Sequence, residues 1–253
     1  MLGDDTDREW EKFGKNDPYF GVLSDEKFRE SNLTEDIKAE FFRSGFAYID
    51  DVLAKIKQHV DADFTPNKAL DFGCGVGRLV IPLANVAREV TGVDVSDSML
   101  QEARKNCEVR SISNATFIQS DDELSGLRGH YDFIHSFIVF QHIPVSRGEK
   151  IFKSLILHLE SEGVCVLHFT YAQPNASRGL IPLVKKYVPF VRVGANFFRR
   201  RKLFGPEMQM HAYDLNHLFF EIQKANVVNC YAEFTNHGGW LGVIVYFQKP
   251  KLA

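Results

Sequence analysis

Three glycines at alternate positions, Gly73, Gly75 and Gly77, follow an acid, Asp71, in the run Ala69-Leu70-Asp71-Phe72-Gly73-Cys74-Gly75-Val76-Gly77-Arg78-Leu79. Apolar residues lead into the acid and an apolar helical pattern starts after the last glycine, so the run reads as strand, tight turn and helix. Without Cβ atoms the glycines allow positive φ and let a ligand lie against the backbone, toward which the following helix points its free N–H groups. Such a turn binds a small molecule. Dinucleotide sites use G-x-G-x-x-G, whereas the pattern here is D-x-G-x-G-x-G. A carboxylate at the strand tip repels a pyrophosphate and attracts a cation. S-adenosylmethionine, with an α-ammonium and a sulfonium, therefore suits the loop better than a dinucleotide.

Further along, Glu89-Val-Thr-Gly-Val-Asp94 ends in an acid twenty-three residues after Asp71, Ala115-Thr-Phe-Ile118 precedes Ser120-Asp121-Asp122, and Tyr131-Asp132-Phe-Ile-His-Ser136-Phe137 runs into Gln141-His142-Ile-Pro144. With these residues the chain resembles the class I S-adenosylmethionine-dependent methyltransferases, in particular the small-molecule branch, from about Lys68 to Leu167 and more loosely from Asp214 to Gln248. The resemblance implies an α/β fold: a Rossmann-like seven-stranded sheet with helices on both faces and the last strand antiparallel. It also implies cofactor contacts from Asp71, Gly73, Cys74, Gly75, Gly77 and Arg78 in the loop. Asp94 then accepts from both ribose hydroxyls, which match two carboxylate oxygens. Val95 and Met99 flank the adenine, Asp121 or Asp122 takes its amino group, and Ser136, Phe137 and Gln141 stand nearest the methyl donor.

Methyl transfer from a sulfonium is an in-line displacement with a neutral leaving group, so the enzyme's main task is to hold the acceptor in line and dry, an effect worth about 7 to 11 kcal/mol. A hydroxyl acceptor also calls for a base. His142 and Tyr171 are the catalytic candidates, with His211 behind them, while His168 lies inside an apolar run and reads as structural. The histidines do not pair with acids at ligand spacing, so no metal site is expected.

The elements that must carry these groups follow from patterning. Residues 1–62 form an N-terminal arm and helical cap. Trp10, Phe13, Tyr19, Phe20 and Phe28 are too many rings for a disordered tail, so the arm is expected to pack on the body, either as an edge or lid of the substrate cleft or as a cover over a hydrophobic flank. Asn32 and Glu35 suggest a capping box, and apolar residues at three- and four-residue steps carry one helix, or two broken at Gly45, to about His59. Residues 63–171 are the cofactor-binding core, in which Gly163-Val-Cys-Val-Leu-His168-Phe suits a strand covered on both faces. Residues 214–253 supply a helix and a β-hairpin, Val227 to Phe234 and Trp240 to Phe247, that completes the sheet.

Between them, residues 172–213 read as an inserted acceptor lid of different composition. Arg178, Lys185, Lys186, Arg192, Arg199, Arg200, Arg201 and Lys202 face the single acid Glu207 there, interleaved with aromatic and aliphatic residues. The whole chain, by contrast, has a formal charge of -3. A basic and apolar stretch suits an anionic acceptor, peripheral contact of 178–204 with anionic lipid that delivers a lipid-linked acceptor, or a solvated surface lid whose charges maintain solubility. The acidic remainder argues against nucleic acid. Four scattered cysteines without a C-x-x-C pair, an acidic N-terminus and no long apolar run lead to the expectation of a cytoplasmic protein, peripheral to a membrane at most. The competing class is a non-catalytic cofactor-binding or membrane-docking module that has kept the fold.

Overall fold

The computed structural model describes residues 6–173 and 208–251; the basic stretch from Arg178 to Lys202, and with it the expected lid or membrane contact, lies outside the described residues. The elements run α1 (Thr6–Asn16), α2 (Pro18–Val22), α3 (Glu35–His59), β1 (Lys68–Phe72), α4 (Val80–Val86), β2 (Glu89–Asp94), α5 (Asp97–Val109), β3 (Ala115–Gln119), β4 (Tyr131–Ser136), α6 (Val145–His158), β5 (Leu159–Ala172), α7 (Leu215–Lys224), β6 (Cys230–His237) and β7 (Trp240–Gln248). The seven strands form one sheet in the order β3-β2-β1-β4-β5-β7-β6. The first five strands are parallel, and β7 lies antiparallel between β5 and β6.

Side-chain alternation divides the core in two. Ala69, Phe133, Val164 and Val166 point to the face covered by α1, α3, α4 and α5, where Phe41, Ile49, Val52 and Leu83 are buried. Their neighbours Leu70, Ile134, Cys165 and Leu167 point to the other face, against Phe152 and Leu155 of α6 and Leu218 of α7. Each strand thus serves both layers, as its period of two requires. The strand order reverses between β1 and β4, and a crevice opens there at the carboxyl ends of the strands.

The cap of α3 differs from expectation. Thr34, not Asn32, caps the helix: its backbone is extended and its Oγ1 accepts from Ile37 N at 3.3 Å. Asn32 instead sits in a 3₁₀ turn, with its amide donating to the Glu26 carbonyl. Of the two alternatives for the helix, one continuous element is found, running through Gly45 to His59. A Cβ on Gly45 would lie 2.3 Å from the Arg78 carbonyl oxygen, so the glycine permits close packing of α3 on the end of the glycine loop. In the hairpin, β6 starts at Cys230 and not Val227, leaving Val228 89% exposed.

Candidate functional site

A cavity of about 570 Å³ occupies the crevice and extends beneath the N-terminal arm. Its floor is the glycine loop. Gly73, Gly75 and Gly77 adopt φ of 75°, 52° and 85°, a region that glycine enters without strain. A Cβ on Gly73 would strike Val139 at 2.3 Å, and one on Gly75 would strike Val22 of α2 at 2.5 Å. The loop is held to β2 through Gly73 N and Cys74 N, which both donate to the Val93 carbonyl.

Asp94 stands at the rim of this floor, at the end of β2. Gly75 N donates to its Oδ2 at 2.8 Å and Ser96 N to its Oδ1 at 2.9 Å. Removal of bulk water pushes its carboxyl up to about 6, against the opposing pull of those N–H groups. Val95 and Met99 line the wall beyond it, and Ser96 caps α5 by accepting from Met99 N. Ser120, Asp121 and Asp122 close the same end. Asp121 is held by Ser125, whose N and Oγ both donate to it. Arg147 of α6 clamps Asp122 from Nε and Nη2 and reaches on from Nη2 to Asp7 of the arm at 3.0 Å.

The arm therefore supplies part of the cavity wall. Thr6, Asp7, Trp10, Gly21, Val22, Leu23 and Ser24 all line the cavity. Glu11 fastens α1 beside Asp94 by accepting from Ser96 Oγ, Ser98 Oγ and Ser98 N. Burial raises the Glu11 carboxyl, but the serine donors prevail and bring it down to about 2. Tyr19 O–H reaches Glu102 and Asn106 on α5. Sequence reasoning identified the arm by its rings but not Arg147 or Glu11. The exposed-looking charge pattern of the arm and α6 gave no sign that these residues would meet.

The opposite end of the cavity is apolar: Phe137, Ile138, Val139, Met208 and Met210, with Gln141, His142 and His237 as its polar groups. Thr170 Oγ1 donates to Gln141 Oε1 at 2.9 Å, and Gln141 Nε2 donates to His142 Nε2 at 3.0 Å. His142 Nδ1 in turn donates to the Gln209 carbonyl at 2.8 Å. This pattern fixes the neutral tautomer, and burial brings the ring down to about 4. Trp10 packs edge-on at 5.0 Å. Both ring nitrogens of His142 are thus occupied, which suits a group that holds Gln141 and the returning chain better than one that takes a proton.

Of the residues the resemblance implies for the cofactor, Gly73, Gly75, Asp94, Val95, Met99, Asp121, Asp122, Phe137 and Gln141 line this one cavity; Asp71, Cys74, Gly77, Arg78 and Ser136 do not. Asp71 turns inward: the His135 Nδ1–H donates to it at 2.9 Å, and in the neutral ring Nε2 accepts from Tyr48 O–H at 3.2 Å. Ser136 donates to the Phe72 carbonyl. Cys74 is buried under the loop, its thiol pushed well up by burial and the neighbouring Asp94 and Asp71. Arg78 is 6% exposed and points at α3, where it donates to Ser44 Oγ and lies 5.9 Å from the Tyr48 ring. Once the chain enters α4, that side chain has α3 and not the cavity in front of it. Tyr171, expected near the chemistry, packs 6.2 Å from Phe234 outside the cavity lining. Its position near the end of β5 directs it along the hairpin. No metal-binding group of His, Cys, Asp or Glu occurs among the described residues, and no helix among them is long and apolar enough to cross a membrane.

Residues 69–163 match a family model described as methyltransferase domain. A magnesium-protoporphyrin O-methyltransferase of Synechocystis is 37% identical over 92 residues, covering 36% of this chain and 38% of that protein. A 23S rRNA (uracil(1939)-C(5))-methyltransferase of Shewanella sediminis is 31% identical over 110 residues, 42% of this chain and 25% of that protein. The chain thus spans well under half the length of these curated relatives. Among solved structures, magnesium protoporphyrin IX methyltransferase from Synechocystis with bound S-adenosylmethionine aligns over 94% of this chain and 97% of its own, with a TM-score of 0.57 at 20% identity. The N-methyltransferase NodS from Bradyrhizobium japonicum, in complex with S-adenosylhomocysteine, aligns over 98% and 100%, with a TM-score of 0.59 at 13% identity.

Proposed function

We propose that this chain, which has the class I methyltransferase fold with a methyltransferase domain matched over residues 69–163, binds S-adenosylmethionine and transfers its methyl group to a small molecule. One observation carries the reading. The glycine floor, Asp94 and the Asp121–Asp122 corner share a single cavity with an apolar chamber roofed by the arm. A carboxylate at a ribose-binding position, acceptors where an adenine amino group needs them, and a cradle that a Cβ would fill fit an adenosyl sulfonium. A magnesium-protoporphyrin O-methyltransferase among the relatives, and structures of the same fold with S-adenosylmethionine or S-adenosylhomocysteine bound, support the reading.

When bound, S-adenosylmethionine supplies an activated methyl whose displacement leaves a neutral thioether. In this reading Asp94 takes the ribose hydroxyls, Val95 and Met99 flank the adenine, and Asp121 takes its amino group, with Asp122 reserved for Arg147. Gly73 and Gly75 bring the backbone close to the methionine portion. Asp71 acts from beneath by fixing His135 and, through it, the tip of β4. Phe137 and Gln141 shape the transfer point, the latter held by Thr170 and His142. The arm excludes water, which orients the acceptor and strengthens every polar contact inside.

A finer reading has an anionic or lipid-linked acceptor. The composition of 178–204 favours it, with eight basic residues against one acid over 172–213. A nucleic-acid acceptor has the rRNA methyltransferase as its support, but a roofed chamber is better matched to a small guest. Both readings are tested by following label from methyl-labelled S-adenosylmethionine into lipid, soluble small-molecule, RNA and protein fractions of a cell extract, with Asp94→Ala as control. Label in the small-molecule fraction that the variant does not produce supports the proposal. Label in RNA or lipid redirects it, and cofactor binding without transfer to any fraction favours a non-catalytic module.

A further inference from the structure

We propose that His237, at the end of β6, is the group that receives the acceptor's proton, and that the acceptor presents a hydroxyl on a flat aromatic ring. The inference rests on the methyl-transfer reading above and identifies the acceptor-side chemistry of the same cavity. His237 and Gly238 form the part of the cavity wall contributed by the hairpin. Neither ring nitrogen of His237 makes a hydrogen bond among the described residues, and its Nε2 is buried without a partner. His142, the other imidazole of the chamber, has both nitrogens engaged. His237 therefore has proton-accepting capacity left open, whereas His142 does not.

The surroundings of His237 fix its position and its form. Its ring stands edge-on to Phe137 at 5.9 Å and to His168 at 5.2 Å. His168 is itself tied to Thr235 two residues before His237. Phe137 follows the last residue of β4, beside the glycine floor, so His237 is one ring removed from the strand tip where transfer is proposed. Burial lowers the His237 pKa, which keeps the ring neutral and its lone pair free at neutral pH. Trp10, Phe137, Met208 and Met210 offer ring faces and polarisable sulfur to a flat apolar guest. Arg147, the one lysine or arginine among the described lining residues, is already clamped by Asp7 and Asp122. The reacting end of the acceptor is accordingly uncharged before transfer.

A new O–CH₃ bond forms as the S–CH₃ bond breaks, and the electron pair of the broken bond stays on sulfur as a neutral thioether. The hydroxyl proton passes to a ring nitrogen of His237, and the imidazolium releases it to water. General-base assistance of this kind is worth about a hundredfold or more in rate.

The test uses wild type, His237→Asn and His237→Gln with methyl-labelled S-adenosylmethionine at about pH 8.5 and two acceptors: phenol, which stays protonated there, and para-nitrophenol, which is largely ionised. S-adenosylhomocysteine binding and a circular-dichroism melt are recorded for each protein. The expected result is transfer to both acceptors by wild type and a loss of about a hundredfold with phenol in the variants. The loss with para-nitrophenol should be severalfold at most, and cofactor affinity and melting temperature unchanged. An equal loss with both acceptors reduces His237 to a packing residue and overturns the proposal. So does transfer unaffected by either substitution. Wild-type binding of S-adenosylhomocysteine with no label on either phenol overturns the assigned acceptor class, whereas absence of that binding overturns the methyl-transfer reading itself.

Discussion

Lowering the pH should release the cofactor well before it unfolds the protein, because the proposed ribose acceptor is a carboxyl titrating near neutrality. Asp94 sits at about 6, pushed up by burial, with one backbone N–H already on each oxygen. Ribose hydroxyls donate to the ionised form, so the ionised fraction sets the apparent affinity. That fraction is about nine-tenths at pH 7 and about one-tenth at pH 5, and the dissociation constant divides by it. The Kd for S-adenosylhomocysteine should therefore rise about tenfold between those two values, approaching one decade per pH unit below the transition. His142, at about 4, titrates below the window. Asp94→Asn should abolish the slope. Its single oxygen can satisfy Gly75 N or Ser96 N but not both, and the amide turns a donor toward the other, a mismatch costing about 1 to 3 kcal/mol. At pH 7 the variant should bind about ten- to a hundredfold more weakly. Isothermal titration calorimetry from pH 5 to 8, in buffers of matched ionic strength, measures both effects. A flat wild-type profile, or a slope that survives in Asp94→Asn, would show that the Asp94 carboxylate does not hold the ribose.

Other perturbations test the parts that hold the site together. Gly45→Ala should destabilise the fold by about 2 kcal/mol or more in thermal denaturation, although helix propensity alone favours alanine, because the new methyl meets the Arg78 carbonyl at 2.3 Å. Arg147→Ala frees Asp7 and Asp122 together; limited proteolysis should cut the arm about tenfold faster, with weaker S-adenosylhomocysteine binding and little change in the melting of the sheet. Glu11→Gln should cost about 1 kcal/mol at neutral pH, a modest figure since the side chain is 29% exposed. Because the folded carboxyl lies below its ordinary value, that contribution is present above about pH 4.5 and fades toward pH 2, so wild-type and variant denaturant midpoints should converge there.

The features legible in the sequence are the local ones. The D-x-G-x-G-x-G turn, the acid ending β2 and the apolar strands announce themselves because each is encoded within a few residues. The seven-stranded sheet and its antiparallel last strand followed from the resemblance, with which the C-terminal hairpin agrees. Long-range pairings were illegible. Asp71 binding His135, Arg78 turning to α3 and Gln141 bridging Thr170 and His142 all join residues whose spacing carries no signal. His237 escaped notice for the same reason: in sequence it belongs to a turn, and only the return of β6 beside β7 brings it to the cavity. Thr34 took the cap from Asn32 because the capping residue must stand directly before the first helical turn.

If one cavity holds the cofactor with its ribose on Asp94, as proposed, a crystal structure with S-adenosylhomocysteine will show it. The expected complex has both ribose hydroxyls on the Asp94 carboxylate, the adenine between Val95, Met99 and Asp121, the homocysteine over Gly73 and Gly75, and the sulfur directed toward Phe137. Ligand seated elsewhere, or in the cavity with Asp94 unengaged, would contradict it.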